Sequence, residues 1–323
     1  MPAARALFVL LGACAMLAAP WAQAQSFPAK PIRLIVGFAP GGGTDVLARL
    51  VAQRLAERIG QPVVVDNRPG ANMIVGSEAT AKAAPDGYTL GMAATPTVTN
   101  PSLYAKLPFD TTRDFTWITQ LTTSSLVLLA NPHFAAATVQ DVIALARKDP
   151  GAIAYGSSGA GGSIHLSGVL LEKMAGITMT HIAYKGNAPA FTDLLGGRLA
   201  VMFADIPQVA GAIKEGKVKA LAVSTQKRTP GLPDVPTIAE SGLPGYDVAV
   251  WYGIAGPAGI PRPVVNALYR ELKEVMQLQS VRDQLAQWGV QPLATTPEEF
   301  EAFIKAELAK WSGTIRSAGI RLD

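Results

Sequence analysis

The sequence predicts an α/β protein of two lobes, each a mainly parallel sheet flanked by helices, with a cleft between them. Three observations carry this expectation. Short apolar, β-rich runs alternate with amphipathic stretches of helical period, the pattern of βαβ units. The alternation lapses after residue 93 and starts again at residue 126. Each series holds a glycine-rich turn between a strand and a helix. The first is Pro40-Gly41-Gly42-Gly43-Thr44-Asp45; the second is Gly156-Ser157-Ser158-Gly159-Ala160-Gly161-Gly162-Ser163.

The elements follow in order. Residues 32–38 form an apolar run, read as a buried strand. A helix at 44–59 comes next. Its inner face carries Val46, Leu47, Leu50, Val51 and Leu55, and Arg49, Arg54, Glu57 and Arg58 face outward. A second strand at 62–66 and a helix at 74–84 lead to Pro85-Asp86-Gly87, a strong turn signal. A third strand at 88–93 completes a βαβαβ order with right-handed crossovers. In the second series, strands at 126–130, 153–156, 179–183, 199–204 and 220–224 alternate with helices at 139–148, 163–175, 188–195 and 206–215. A proline-rich stretch at 230–236, a strand at 248–254 and a loop at 257–263 follow, then helices at 264–276, 281–287 and 297–315. The lobes are therefore placed at 25–126 plus 227–323 and at 127–226, with the chain returning to the first.

Arg5 is the only charge in the first 25 residues, residues 6–19 are apolar, and Ala22-Gln23-Ala24 fits the small-x-small rule of signal peptidase. Residues 1–24 are read as a leader cleaved after Ala24, which places the protein in the periplasm. The alternatives are a retained anchor, for which the apolar run is short of the ~20 residues of a span, and a lipoprotein box at Leu11-Gly12-Ala13-Cys14. Cys14 is the single cysteine, so the chain beyond the leader has no disulfide, cysteine metal ligand or thiol nucleophile. The net charge of +4 is mild and comes without a Lys/Arg cluster. That argues against nucleic acid as a partner and agrees with attraction of small anions. No later run reaches the ~18 apolar residues of a membrane span.

At the first turn the glycines let several backbone N–H groups approach a ligand, and a helix N-terminus adds partial positive charge. Together these make an anion site. The spacing fits neither the Rossmann fingerprint nor the P-loop. Asp45 would repel a pyrophosphate; it either receives an ammonium or a water, or is an early-helix acid favoured by the dipole. The second turn adds the hydroxyls of Ser157, Ser158 and Ser163 beside Gly159 and Gly162, with Ser163 as candidate N-cap and His165 in the first helical turn as a cleft or a packing residue. A serine hydrolase using Ser158 or Ser163 with His165 is the competing reading. It lacks the G-x-S-x-G elbow, so no catalytic residue is assigned. His133, His165 and His181 have no metal-ligand spacing, and neither metal nor cofactor is expected. Thr95, the run Tyr184-Lys185-Gly186, and Asp205 sit at carboxyl ends of strands, where open α/β sheets bind ligands; turn and cap roles are the alternative. Trp251 and Tyr252 are read as core or hinge packing.

Further motifs follow the same order along the chain: Pro31-Ile32-Arg33-Leu34-Ile35-Val36, Asn67-Arg68-Pro69-Gly70-Ala71, Pro85-Asp86-Gly87-Tyr88-Thr89-Leu90, Leu232-Pro233-Asp234-Val235-Pro236-Thr237 and Trp251-Tyr252-Gly253. With the two turns and Tyr184-Lys185-Gly186, they resemble the Bug family of periplasmic solute receptors, also called tripartite tricarboxylate transporter substrate-binding proteins. The resemblance implies a type II periplasmic-binding-protein-like fold, with two lobes joined by crossing strands that close like a flytrap. It implies a small carboxylate ligand, often a dicarboxylate or an amino acid, with ordered waters helping to hold one carboxylate. By position it carries the ligand site onto 41–45 and onto 157–163 with His165. It also implies a monomer that works with the membrane subunits of a transporter. Asn72 and Met73 depart from the family, which usually has glycines there, and they reshape the cleft rim.

Overall fold

The computed structural model describes residues 27–184 and 186–322. The leader and Lys185 lie outside the described residues. The first half of the chain forms β1 (Ile32–Val36), α1 (Gly43–Ile59), β2 (Val63–Asn67), α2 (Ile74–Ala81), β3 (Thr89–Ala94), α3 (Thr95–Leu103) and β4 (Phe115–Ala130). There follow α4 (Val139–Lys148), β5 (Ala154–Ser157), α5 (Ser163–Ala175), β6 (Thr180–Ala183), α6 (Asn187–Leu195), β7 (Val201–Asp205), α7 (Ile206–Lys214) and β8 (Lys219–Val223). The chain closes with β9 (Ala249–Pro257), α8 (Arg262–Gln277), α9 (Gln279–Gln287), β10 (Gln291–Pro292) and α10 (Pro297–Ala318).

All ten strands belong to one sheet, and β4 is shared by its two halves. The first half runs β2-β1-β3-β9-β4 and the second β6-β5-β7-β4-β8. Each half is thus a parallel set with a single antiparallel strand inserted at the same place: β9 in the first, the end of β4 in the second. The strand directions have a geometric consequence. β4 points the same way as β1 to β3, and β5 to β8 point against it. The carboxyl ends of the two parallel sets therefore face each other across the crossing strands. Ala94 pairs with Tyr252, which pairs with Thr122, and Asp205 pairs with Leu126. Four residues of β4 separate those levels, a gap of about 13 Å at the usual strand rise.

Burial follows the pleat. Leu126, Leu128 and Ala130 enter one core, and Val127 and Leu129 enter the core on the other face of the sheet. On α1, Leu47, Ala48, Val51 and Leu55 pack onto β1; Val46, expected inside, is 39% exposed. α10 contributes Phe300, Ile304, Trp311 and Ile315 to a core that reaches residues of both halves. Each such side chain removed from water is worth about 1.5–3 kcal/mol, so this last helix helps to hold the halves together.

Two elements depart from expectation. β4 begins at Phe115 rather than at 126. Its register shifts between Trp117 and Thr119 and again between Gln120 and Thr122. These bulges break the two-residue alternation by which a strand is recognised. Thr95-Pro96-Thr97, expected as a loop after a strand, opens α3. Pro96 is tolerated in the first turn. Pro101 lies inside the helix and removes an N–H. The Thr97 carbonyl, which that N–H would have bonded, instead accepts from Thr111 Oγ1 at 3.0 Å.

Candidate functional site

The two glycine turns are copies of one backbone. In the first, Gly41 has φ 85°, a conformation that favours glycine. Gly42 is the N-cap of α1 at φ −77°, ψ 165°. In the second, Gly161 has φ 78° and Gly162 is the N-cap of α5 at φ −81°, ψ 168°. The N-cap carbonyls accept in the same way, from Val46 N–H at 3.0 Å and Leu166 N–H at 2.9 Å. The fourth residue after each left-handed glycine accepts that glycine's amide. Asp45 Oδ2 takes Gly41 N–H at 2.9 Å, and His165 Nδ1 takes Gly161 N–H at 2.9 Å.

The two acceptors differ in their own support. Asp45 is 2% exposed. Besides the Gly41 amide it accepts Arg49 Nε at 2.9 Å and Asn67 Nδ2 at 2.9 Å, and Asn67 also donates to the Phe38 carbonyl. The Arg49 hydrogen bond, with those from Gly41 and Asn67, outweighs burial and holds the carboxyl down at about 2. His165 is 6% exposed. Its ring stacks on His181 with centroids 3.8 Å apart. Burial first and His181 second hold it down at about 4, and because Nδ1 accepts, its proton is assigned to Nε2. His181 Nε2 lies 2.6 Å from Ser157 Oγ, which donates to the Gly159 carbonyl at 2.9 Å and accepts the Gly159 N–H at 3.2 Å.

A glycine N-cap has no side chain with which to satisfy the first helical N–H groups. Among the described residues, no acceptor takes the amides of Gly43, Thr44 and Asp45, or those of Ser163, Ile164 and His165. Each turn therefore presents a short row of unsatisfied donors at the positive end of a helix, suited to one carboxylate or phosphate oxygen pair. Near the first row, the Tyr252 hydroxyl bonds the Thr44 side chain and feels the charge of Asp205 from the other half of the sheet; burial, then Asp205, push that phenol up. A Cβ on Gly43 would stand 3.4 Å from the same hydroxyl. Asp205 is the N-cap of α7 and accepts Asn187 Nδ2 at 3.0 Å, with burial raising its carboxyl. Asn187 Oδ1 is buried and has no partner. The second turn rests on α3, where Thr99 Oγ1 reaches the Gly161 carbonyl at 3.4 Å, and against Leu103 and Leu322, which a Cβ on Gly161 would strike.

Several expectations are corrected by this geometry. Asp45 presents no open carboxylate to an ammonium or a water, because its oxygens hold the turn. Ser163 is not the N-cap; Gly162 is, and Ser163 is the first helical residue. His165 is not paired with Ser158 or Ser163, since its Nδ1 is committed to the Gly161 amide. The serine–histidine contact that does form, Ser157 with His181, has its serine fully buried. Tyr184 is half-buried and spends its hydroxyl on Asp193 Oδ2 at 2.8 Å. Pro40, Gly41, Gly42, Gly43 and Ser158 are exposed, Gly159, Gly162, Ser163, Gly186 and Asp205 half-buried, and Thr95 is buried in the first turn of α3. Tyr252, Asn187, Asn67 and His181 are additions. Asn67 and Tyr252 lie inside noted motifs, with Tyr252 read as core or hinge packing, and Asn187 adjoins one; no spacing signal marks His181. A hollow of about 340 Å³ lined by Pro31, Arg33, Val64 and Asp66 lies along the outer edge strand and not between the turns. No group of three or more potential metal ligands occurs, and no helix is long and apolar enough to cross a membrane, among the described residues.

Comparison with known proteins adds a further set of findings. The profile described as "Tripartite tricarboxylate transporter family receptor" matches residues 47–320. Protein BugT of Bordetella pertussis is 36% identical over 312 residues, covering 96% of this chain and 95% of that protein. Among solved structures, R. palustris Rpa4515 with adipate superposes with a TM-score of 0.82 at 34% identity, covering 92% of this chain and 100% of that one. MatC from Rhodopseudomonas palustris with bound malate gives a TM-score of 0.78 at 30% identity, over 90% of this chain and 100% of that one.

Proposed function

The chain belongs to the tripartite tricarboxylate transporter receptor family, and on that premise we propose that it binds a small dicarboxylate or related organic acid between the two glycine turns and delivers it to transporter membrane subunits. The observation that carries this reading is the pair of helix N-termini with glycine caps and unsatisfied amides. Each is a complete site for one carboxylate, and the strand directions turn them toward each other. Structural neighbours with adipate and malate support the ligand class.

The energetics suit a receptor. A charge-assisted hydrogen bond contributes about 1.5–3 kcal/mol, and a helix end about 0.3–1 kcal/mol more. Ordering and closure consume part of that gain, and a net of about 8 kcal/mol would correspond to micromolar affinity. In this reading the backbone amides of Gly43, Thr44 and Asp45 and of Ser163, Ile164 and His165 supply the donors, with Gly42, Gly162, Thr95, Ser158, Gly159 and Gly186 on the walls. Asp205 and the unpartnered Asn187 Oδ1 accept from a ligand hydroxyl, an ammonium or a bound water. Tyr252 fixes Thr44 at the floor. The lobes that close are 25–126 plus 227–323 and 127–226, and the mature protein is a periplasmic monomer with residues 1–24 removed. Nothing in this site breaks a bond, and the ligand leaves as it came.

A thermal-shift screen against mono- and dicarboxylates, adipate and malate included, tests the reading, because a ligand that binds only the folded state stabilises it by mass action. Stabilisation by diacids well above that by the matched monoacids is expected. Equal or absent response across the set would overturn the proposal.

A further inference from the structure

We propose that His165 and His181 are the positioning residues of the second turn, and that they make its grip on an anion acid-labile while the first turn stays indifferent over the same range. The inference rests on the reading of the turns as anion sites.

Both ends of the turn hang on this pair of rings. His165 Nδ1 takes the Gly161 amide directly. His181 reaches Gly159 through Ser157 Oγ, which bonds both the amide and the carbonyl of Gly159. The rings stack at 3.8 Å and 21°, and Tyr155 of β5 lies against both, 5.0 Å from His181 and 6.4 Å from His165. Protonation of His165 puts an N–H where an acceptor must be, so the Gly161 amide loses its partner. A second proton would set two cations face to face. Among the described residues, neither ring is paired with a carboxylate. Tyr155 passes its hydroxyl to Glu172 of α5 at 3.5 Å, and Glu172 also takes the Met179 amide; burial draws its carboxyl toward the neutral form. Against Gly161 itself lie Thr99 and Leu103 of α3 and Leu322, all uncharged. Burial lowers both imidazoles, and keeps the turn intact until the medium is distinctly acidic.

Direct contact between an imidazolium and the ligand would have the opposite sign, because acid would then strengthen binding. The test is an NMR titration of the purified protein from pH 7 to about pH 3, following the Gly161 and Gly41 amides and the His165 ring. The Gly161 amide is expected to move with the His165 midpoint while Gly41 stays flat. In His165→Leu the exchange protection of Gly161 should fall about tenfold. His165→Asn, whose Oδ1 can replace Nδ1 as acceptor, should restore the protection and remove the titration. His181→Gln, whose side-chain amide can donate to Ser157 Oγ in place of Nε2–H, should keep the protection of the Gly159 amide. A Gly161 amide that is flat in the wild type, or that titrates unchanged in His165→Asn, overturns the proposal. If neither variant folds, the coincidence of the wild-type midpoints decides alone. Calorimetry with adipate at pH 7 and about pH 4 adds the functional arm: the wild type should lose about twofold more affinity than His165→Asn, a ratio that cancels the ligand's own protonation. Wild-type affinity that rises with acid overturns the positioning role. Adipate that binds at neither pH counts against the carboxylate reading, and the Gly161 titration still decides this one.

Discussion

At the first turn a carboxylate holds the left-handed glycine's amide, and at the second an imidazole does so. The backbones agree within a few degrees at their N-caps, φ −77° against −81° and ψ 165° against 168°. The position four residues after the left-handed glycine must therefore be an acceptor, and nothing in the backbone requires it to be charged. The difference lies in what each acceptor needs from its surroundings. Asp45 keeps its charge because Arg49, the Gly41 amide and Asn67 surround it. His165 stays neutral because burial and a stacked second imidazole discourage the proton. One turn is secured by ionic hydrogen bonds, the other by the exclusion of charge.

Asp45→Ala breaks the first side of this comparison most severely. It removes the acceptor shared by the Gly41 amide, Arg49 and Asn67, and should cost about 2 kcal/mol in chemical denaturation. A loss under about 0.5 kcal/mol would show that the carboxylate does not hold the turn.

Acid separates the two turns. Asp45 has a folded value of about 2 against an ordinary 3.8, so its contribution is intact above 3.8 and is lost as pH falls toward 2. His165 has a folded value of about 4 against 6.5, so its neutral-form contribution is present above 6.5 and is lost as pH falls toward 4. Between pH 7 and pH 5 the wild type should lose roughly 2 kcal/mol through His165, and His165→Asn should lose distinctly less. Denaturation curves of the two proteins at both pH values measure the difference, and parallel losses would erase the distinction.

Tyr252→Phe sharpens the comparison with the smallest effect. It removes a hydroxyl that steadies Thr44 at the first turn and has no counterpart at the second. Affinity for a bound diacid should fall by about 1 kcal/mol, with the melting temperature nearly unchanged. No change in calorimetry would make Tyr252 a packing residue only.

Much of this arrangement was legible in the chain itself. Strands buried on both faces announce themselves, so a run such as Leu126-Val127-Leu128-Leu129-Ala130 is apolar throughout. The first turn shows because three consecutive glycines exceed what a corner needs, and the second because four glycines fall within seven residues. The first part of β4 was hidden because two bulges scatter Trp117, Ile118 and Leu121 out of alternation. α3 was hidden because Pro101 sits inside it and β-branched residues fill it. The roles of Asp45 and His165 could not be read from residue type. A carboxylate or imidazole beside a glycine turn looks like a ligand contact, and only the amide it accepts shows that it holds the backbone. Tyr252 was hidden for a tertiary reason, since its partner Thr44 is far away in sequence.

The most direct measurement places a carboxylate of the protein's own where the ligand's is thought to sit. Gly42 and Gly162 have ordinary negative φ and room for a side chain, so Gly42→Asp and Gly162→Asp should fold, with helix capping adding about 0.3 kcal/mol of stability. Their side chains would occupy the amide rows from within. Calorimetry with a diacid that binds the wild type should then show affinity reduced about 100-fold or more in each variant, a loss of about 2.7 kcal/mol. Undiminished affinity in both well-folded variants would mean that the bare helix ends do not hold the ligand.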